Sequence, residues 1–229
     1  MEVKNKIEEY PVRELIVANR FLKENLTYIP ENAYYKSLER MVKKGELQKV
    51  AKGVYCKPKI TRFGIILSGE EDILNYYVGK ENIKGIVVGY RLYNKYGITT
   101  QISKTIEIYS SMLDEERKNI RNINIKKLKL SINSEITKAI EQLEILQHYN
   151  EIEDANENKF ISFINNIVDS YSNEVFINVL SNMKYKKRTI AFLENILNHK
   201  NIRNTLSQFL NRTSKYRIPV MEAFYESSY

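Results

Sequence analysis

Apolar side chains recur at helical spacing through residues 31–44, at Tyr34, Leu38, Met41 and Val42. Positions three and four apart share one helix face, so these four predict a buried stripe. Tyr35, Lys36, Glu39, Arg40, Lys43 and Lys44 fall on the other side. Pro30 precedes the stretch and Gly45 follows it, a start and a stop. Just downstream, Leu47 and Val50, then Val54 and Tyr55, flank Lys52-Gly53. That pattern predicts a two-stranded hairpin over residues 46–56 with Gly53 near its tip. Upstream, Val3 to Tyr10 predicts a short helix ended by Pro11, and Val12 to Val17 a short strand. Asn19 is placed to cap a helix over Arg20 to Asn25.

From Thr61 the texture changes. Gly69 to Val78 predicts a helix capped by Ser68, and Ile83 to Val88 a buried strand. Tyr90 to Tyr96 predicts a helix stopping at Gly97, and Thr105 to Ser110 and Ile123 to Leu130 predict strands. After Asn133 five apolar stripes follow in series, beginning at Ile136, Phe160, Val175, Ile190 and Ile202, which predicts packed helices. Tyr216 to Val220 is expected to be extended, because the residue before Pro219 disfavours helix. The expected fold class is α+β. It comprises a winged helix-turn-helix over 1–60, a small α/β module over 61–132 and a helical lobe over 133–229.

Composition narrows the class. The 229 residues are 43% hydrophobic and 28% charged, as in ordinary globular chains. The apolar runs at Phe63–Leu67 and Ile83–Gly89 fall far short of a membrane span. The residues after Met1 are charged rather than leader-like, and the single Cys56 forms no internal disulfide. A cytoplasmic chain without a membrane partner is expected.

Charge changes the picture more. The net charge is +8, and it is focused. Between Lys36 and Lys59 eight cations (Lys36, Arg40, Lys43, Lys44, Lys49, Lys52, Lys57 and Lys59) face two acids, Glu39 and Glu46, a local net of +6. Focused positive charge on a helix and the hairpin after it suits a polyanion, here duplex DNA. A helix lying in the major groove would bring Tyr35, Lys36, Glu39 and Arg40 to bases, with Arg40 able to fork onto a guanine. Lys43 and Lys44 on the helix, and Lys49 and Lys52 in the hairpin, would meet backbone phosphates. Ser37 or the helix N-terminus could meet another. Two competing readings are a merely solvated lysine face and a module that docks a protein.

Chemistry of the catalytic kind is not indicated. His148 and His199 have no metal-ligand spacing to each other or to Cys56 and read as surface histidines. Cys56 reads as a half-buried apolar residue. Gly85 and Gly89 make no phosphate-loop fingerprint. The runs Glu70-Glu71-Asp72 and Asp114-Glu115-Glu116 read as helix starts and turns. No catalytic residue, cofactor or metal is therefore expected. The pairs Tyr34-Tyr35 and Tyr76-Tyr77, with Tyr90, Tyr93 and Tyr96, read as core packing rather than an RNA-stacking platform. A second basic cluster, Lys184 to Arg188, opens a late helix and reads either as a contact for DNA or a partner, or as a solvated linker.

Two blocks carry a family resemblance. Ser37 to Leu47, followed by Val50 to Tyr55, resembles the N-terminal winged helix of AbiEi-type antitoxins. Gly89 to Gln101, with Gly97 and Thr100-Gln101 in place of a "GLTTQ"-like turn, resembles a later block of the same family. The match spans about the first 130 residues, and the helical tail after Asn133 departs from it. The resemblance implies the antitoxin of a type IV toxin–antitoxin pair, used in phage defence. Such a protein binds and represses its own promoter and counters a nucleotidyltransferase-like toxin. By motif, Arg40, Lys43, Lys44 and Lys52 would be operator contacts; from the winged-helix reading itself, two copies on inverted half-sites would give affinity and cooperativity. A regulator without a toxin, or a protein-interaction module, would carry the same N-terminal pattern.

Overall fold

The structure is a computed structural model and describes residues 2–219. Its architecture is α+β, with a mixed helix and strand region first and a largely helical lobe after it. Three short helices, α1 (Glu2–Glu8), α2 (Ala18–Asn25) and α3 (Glu31–Lys43), pack on one face of a three-stranded antiparallel sheet. That sheet has the order β1-β3-β2, from β1 (Leu15–Val17), β2 (Gln48–Ala51) and β3 (Val54–Cys56). The predicted helix and hairpin fall where the pattern put them. Tyr34, Leu38 and Met41 are buried, and Gly45 ends α3 with φ +72°. Glu46 and Leu47 then donate back to the Met41 carbonyl, a helix C-terminal closure that needs the left-handed backbone glycine tolerates. Gly53 turns the hairpin with φ +70°, and β2 carries a bulge between Lys49 and Ala51.

Strand alternation divides this small sheet between two cores. Ile16 and Tyr55 face α1, α2 and α3, together with Leu47. Leu15, Val54 and Cys56 face the other way. There they meet a second sheet of order β6-β7-β9-β8, built from β6 (Gly85–Val88), β7 (Ile106–Ser110), β8 (Arg117–Ile120) and β9 (Ile123–Lys127). Ile106, Ile108, Ile120, Ile123 and Ile125 supply its half of that core, and α4 (Glu70–Tyr77) adds Ile73 and Tyr77. One continuous core therefore crosses position 60. The far side of the second sheet, through Ile86, Val88 and Tyr109, packs on α5 (Tyr90–Lys95), α6 (Ser134–His148), α7 (Glu157–Ser170), α8 (Asn173–Asn182) and α9 (Lys187–His199).

Several local expectations change. Asn19 lies inside α2, whose cap position is Val17. The Asn19 amide oxygen instead accepts from the Tyr35 hydroxyl. Ser68 does not cap α4. Gly69 does, its N–H donating to Asp72 Oδ2 at 2.7 Å, while Ser68 donates to the Arg13 carbonyl. The fifth apolar stripe is a 3₁₀ turn, Leu206–Phe209, rather than an α-helix. Residues 216–219 lack regular structure, and Val220 lies outside the described residues. Two strand pairings have no counterpart in the sequence pattern: β8 beside β9, and a separate ribbon of β4 (Lys59–Thr61) with β5 (Gly64–Ile66). No helix among the described residues is long and apolar enough to cross a membrane.

Candidate nucleic-acid interface

Burial of one face of α3 turns the other face outward. Lys36, Glu39, Arg40, Lys43 and Lys44 are exposed there, and Lys49 and Lys52 are exposed on the hairpin. None of the six cations among them makes a side-chain hydrogen bond or ion pair with the described residues. Five other cations of this region are engaged, whereas Lys23, Lys59 and Arg62, like the six, have no ion pair or side-chain hydrogen bond among the described residues. Lys4 pairs with Glu46 at 2.7 Å, Lys6 with Glu9 at 2.8 Å, Arg13 with Asp72 at 2.7 Å and Arg20 with Asp114 at 3.4 Å. Lys57, counted in the basic segment, is also committed: its Nζ donates to the Glu8 and Tyr10 carbonyls at 2.5 and 2.7 Å. The charge left unneutralised in the N-terminal region thus includes one helix face and the hairpin beside it.

Two polar side chains on α3 are already engaged. Tyr35 is half-buried, its ring edge-on to Tyr34 with centroids 5.4 Å apart and its hydroxyl donated to Asn19. Burial, then nearby negative charge, raises its phenol pKa, so it stays a neutral hydrogen-bonding group. Ser37 donates to the Ala33 carbonyl one turn back, at 2.9 Å. Tyr35, Lys49 and Lys52 line one cleft of about 640 Å³ between the first sheet and β8, with Tyr55, Tyr77 and Lys118 among its other walls. Lys36, Glu39, Arg40, Lys43 and Lys44 lie outside that cleft.

The remaining candidates take structural parts. Cys56 is fully buried rather than half-buried. His148 is not a free surface histidine: its Nδ1 lies 2.8 Å from Glu151 and its Nε2 3.9 Å from Glu144. The hydrogen bond from His148 is the main cause holding the Glu151 carboxyl below the ordinary range. Glu151 also pairs with Lys186 and Arg188, at 3.5 and 3.1 Å, so two of the four cations in the Lys184–Arg188 cluster share one carboxylate within the lobe. His199 is the last residue of α9. Glu70 and Asp72 open α4 and pair with Arg91 and Arg13, while Asp114, Glu115 and Glu116 pair with Arg20, Lys118 and Lys129. Tyr34, Tyr77 and Tyr93 are core side chains. No group of three or more His, Cys, Asp or Glu among the described residues is arranged to hold a metal ion.

The block from Gly89 to Gln101 has a clear local account. Asn94 donates to the Thr99 and Gln101 carbonyls at 2.7 and 3.0 Å, closing the turn at Gly97. Thr99 donates to the Glu153 carbonyl at 2.7 Å, and Gln101 to Asp154 at 2.5 Å. The turn thereby fastens the connection between α6 and α7. Its polar residues are spent on backbone and loop contacts.

A family model described as a family of unknown function, DUF6088, matches residues 2–174. No curated protein matches the sequence. Among solved structures, the chain is similar to one described as the crystal structure of the RV2827C protein from Mycobacterium tuberculosis. The two are 10% identical, with a TM-score of 0.43, over 95% of this chain and 82% of that one.

Proposed function

The chain belongs to the DUF6088 family, whose function is unknown, and from that premise we propose that it is a DNA-binding repressor whose winged helix occupies residues 1–60. In this reading α3 is the recognition helix, and the β2–β3 hairpin is the wing. Arg40, with Lys36 and Glu39, reads base edges in the major groove. Lys43, Lys44, Lys49 and Lys52 hold phosphates, and Tyr35 braces the helix through Asn19. The observation that carries the reading is the set of six exposed, unpaired cations on one helix face and its adjoining hairpin. A merely solvated surface gains from i,i+4 neutralisation, as Lys4–Glu8 does on α1, whereas a phosphate-binding face keeps its cations unpaired.

The resemblance to AbiEi-type antitoxins adds the biological setting. The protein represses its own promoter by occupancy, as two copies on inverted half-sites, and counters a nucleotidyltransferase-like toxin encoded beside it. It needs no cofactor and catalyses no reaction. The shared core under the wing supports occupancy by a rigid body, because Val54 and Cys56 cannot leave it without exposing apolar surface.

The deciding measurement is binding of the purified chain to its own upstream duplex and to a scrambled duplex, at two salt concentrations, with Arg40→Ala alongside. Tight binding to the upstream duplex that weakens with salt, with discrimination lost in Arg40→Ala, supports the repressor. Equal binding to both duplexes, or discrimination untouched by Arg40→Ala, removes it. Co-expression with the neighbouring gene then separates antitoxin from plain regulator, since only an antitoxin rescues growth.

A further inference from the structure

The β4–β5 ribbon has exposed apolar surface that packing does not explain. Ile60 is 79% exposed, Phe63 86%, Ile65 59%, Ile66 43% and Leu67 39%. None of these belongs to the three cores. The strands pair only with each other, Lys59 to Ile66, Ile60 to Ile65 and Thr61 to Gly64, which leaves Arg62 and Phe63 as the tip. Arg62 lies over the Phe63 ring, 4.6 Å from its centroid. A two-stranded ribbon alone is marginal in water, and an uncovered apolar one marks an interaction surface.

The root of the ribbon is fixed. Arg13 donates its backbone N–H to the Lys57 carbonyl at 2.9 Å and accepts the Ser68 hydroxyl on its own carbonyl at 2.7 Å. Both ends of the ribbon are thus tied to one residue. Arg13 is held at φ +69°, a strained backbone for a side-chain-bearing residue. Arg121 donates to the Ser68 carbonyl at 2.6 Å, a further tie.

Charge identifies the occupant. From Leu47 to Gly69 there is no acid, and Lys49, Lys52, Lys57, Lys59 and Arg62 lie in that stretch. Pairing of Gln48 with Cys56 puts the root at the end of the first sheet where β2 begins, just after the Lys43-Lys44 turn of α3. Lys52 stands at the sheet's other end. A ribbon-to-ribbon contact between two copies of this chain would bring Lys59 and Arg62 against like charge, whereas a duplex neutralises them. We propose that the ribbon is a second DNA-contacting arm, which sets Arg62 in the minor groove and wedges Phe63 against a base step. Apolar wedges beside arginine unstack and kink a duplex in this way. The proposal rests on the repressor reading above and extends its footprint beyond the winged helix.

The test uses the full chain and its own upstream duplex, labelled at both ends for energy transfer. The wild type shortens the end-to-end distance. Phe63→Ala loses that shortening and binds about tenfold more weakly to upstream and scrambled duplexes alike, and Arg62→Ala weakens both. Arg40→Ala loses discrimination yet still bends what it binds. An unchanged thermal midpoint for Phe63→Ala excludes misfolding, since the ring is solvent-exposed. The arm is overturned if Phe63→Ala bends and binds like wild type while Arg40→Ala still loses discrimination. It is equally overturned if Phe63→Ala and Ile65→Lys turn a dimer into monomers without changing affinity per protomer, which makes the ribbon a self-association surface. Absence of salt-dependent DNA binding by the wild type removes the repressor reading, and the arm with it.

Discussion

Arg13 donates from both Nε and Nη2 to one carboxylate oxygen of Asp72, at 3.2 and 2.7 Å. The same oxygen accepts the Gly69 N–H that opens α4. A single carboxylate therefore caps a helix and steadies the residue to which both ends of the β4–β5 ribbon are tied.

Asp72→Ala removes the cap and leaves a half-buried guanidinium without its partner. The expected loss is about 2 kcal/mol of unfolding free energy, read as a lower urea midpoint. Proteolysis within residues 57–68 should accelerate in the same variant, because the root of the ribbon loosens. A wild-type midpoint together with wild-type cleavage would separate the Arg13–Asp72 pair from any role in fixing the ribbon.

Lys43→Ala and Lys49→Ala probe the proposed phosphate contacts. Each should reduce the slope of log affinity against log salt by about 0.9, and each should weaken binding to upstream and scrambled duplexes equally. Fluorescence anisotropy across a salt series measures both. A slope unaffected by either change would place these lysines off the backbone.

Gly85→Ala tests a close approach in the second sheet. A Cβ there would stand 2.4 Å from the Tyr109 carbonyl oxygen and 2.6 Å from that of Tyr77, and both are backbone atoms. The backbone must shift, at an expected cost of about 2–3 kcal/mol, seen as a lower thermal midpoint. Gly53→Ala, with open space around its Cβ but φ +70°, should cost less, about 1 kcal/mol.

Glu144 gives a pH dependence. It is 4% exposed beneath the second sheet, accepts from Tyr109 at 3.1 Å, and has His148, Lys126 and Tyr185 as further neighbours. Burial, the largest influence, raises its carboxyl pKa above the ordinary range, against the opposing pull of His148. A raised folded pKa means that the folded chain holds the proton more tightly. The stabilisation it brings is complete below the unfolded value and is lost as pH rises through the folded one. Glu144→Gln should therefore match wild type near pH ~4 and exceed it near pH ~7 in urea midpoint. A constant difference at both pH values would show that Glu144 does not titrate between them.

Some of this was legible before any tertiary structure. The stripe Tyr34, Leu38, Met41 and the glycine stops at Gly45, Gly53 and Gly97 depend on neighbours within a few residues, so their elements follow from local pattern. The grouping of Lys36, Arg40, Lys43, Lys44, Lys49 and Lys52 was legible for the same reason. Asn19 and Ser68 were misassigned as caps because each spends its side chain on a residue distant in sequence, Tyr35 and Arg13 respectively.

The sequence by itself determined which residues form α3 and its hairpin, where five of the six helical apolar faces along 31–44 and 134–210 lie, and that positive charge concentrates on α3 and that hairpin. Those are properties of spacing, and spacing survives in one dimension. Tertiary structure alone decided that the six cations stay unpaired while Arg13, Arg20 and Lys57 are consumed. It also decided that β8 completes the second sheet, that Leu15, Val54 and Cys56 join a core with Ile106 to Ile125, and that Ile60 and Phe63 find no core. Pairing and burial depend on which distant segments meet, and a short apolar run such as Phe63 to Leu67 carries no mark of whether another segment will cover it.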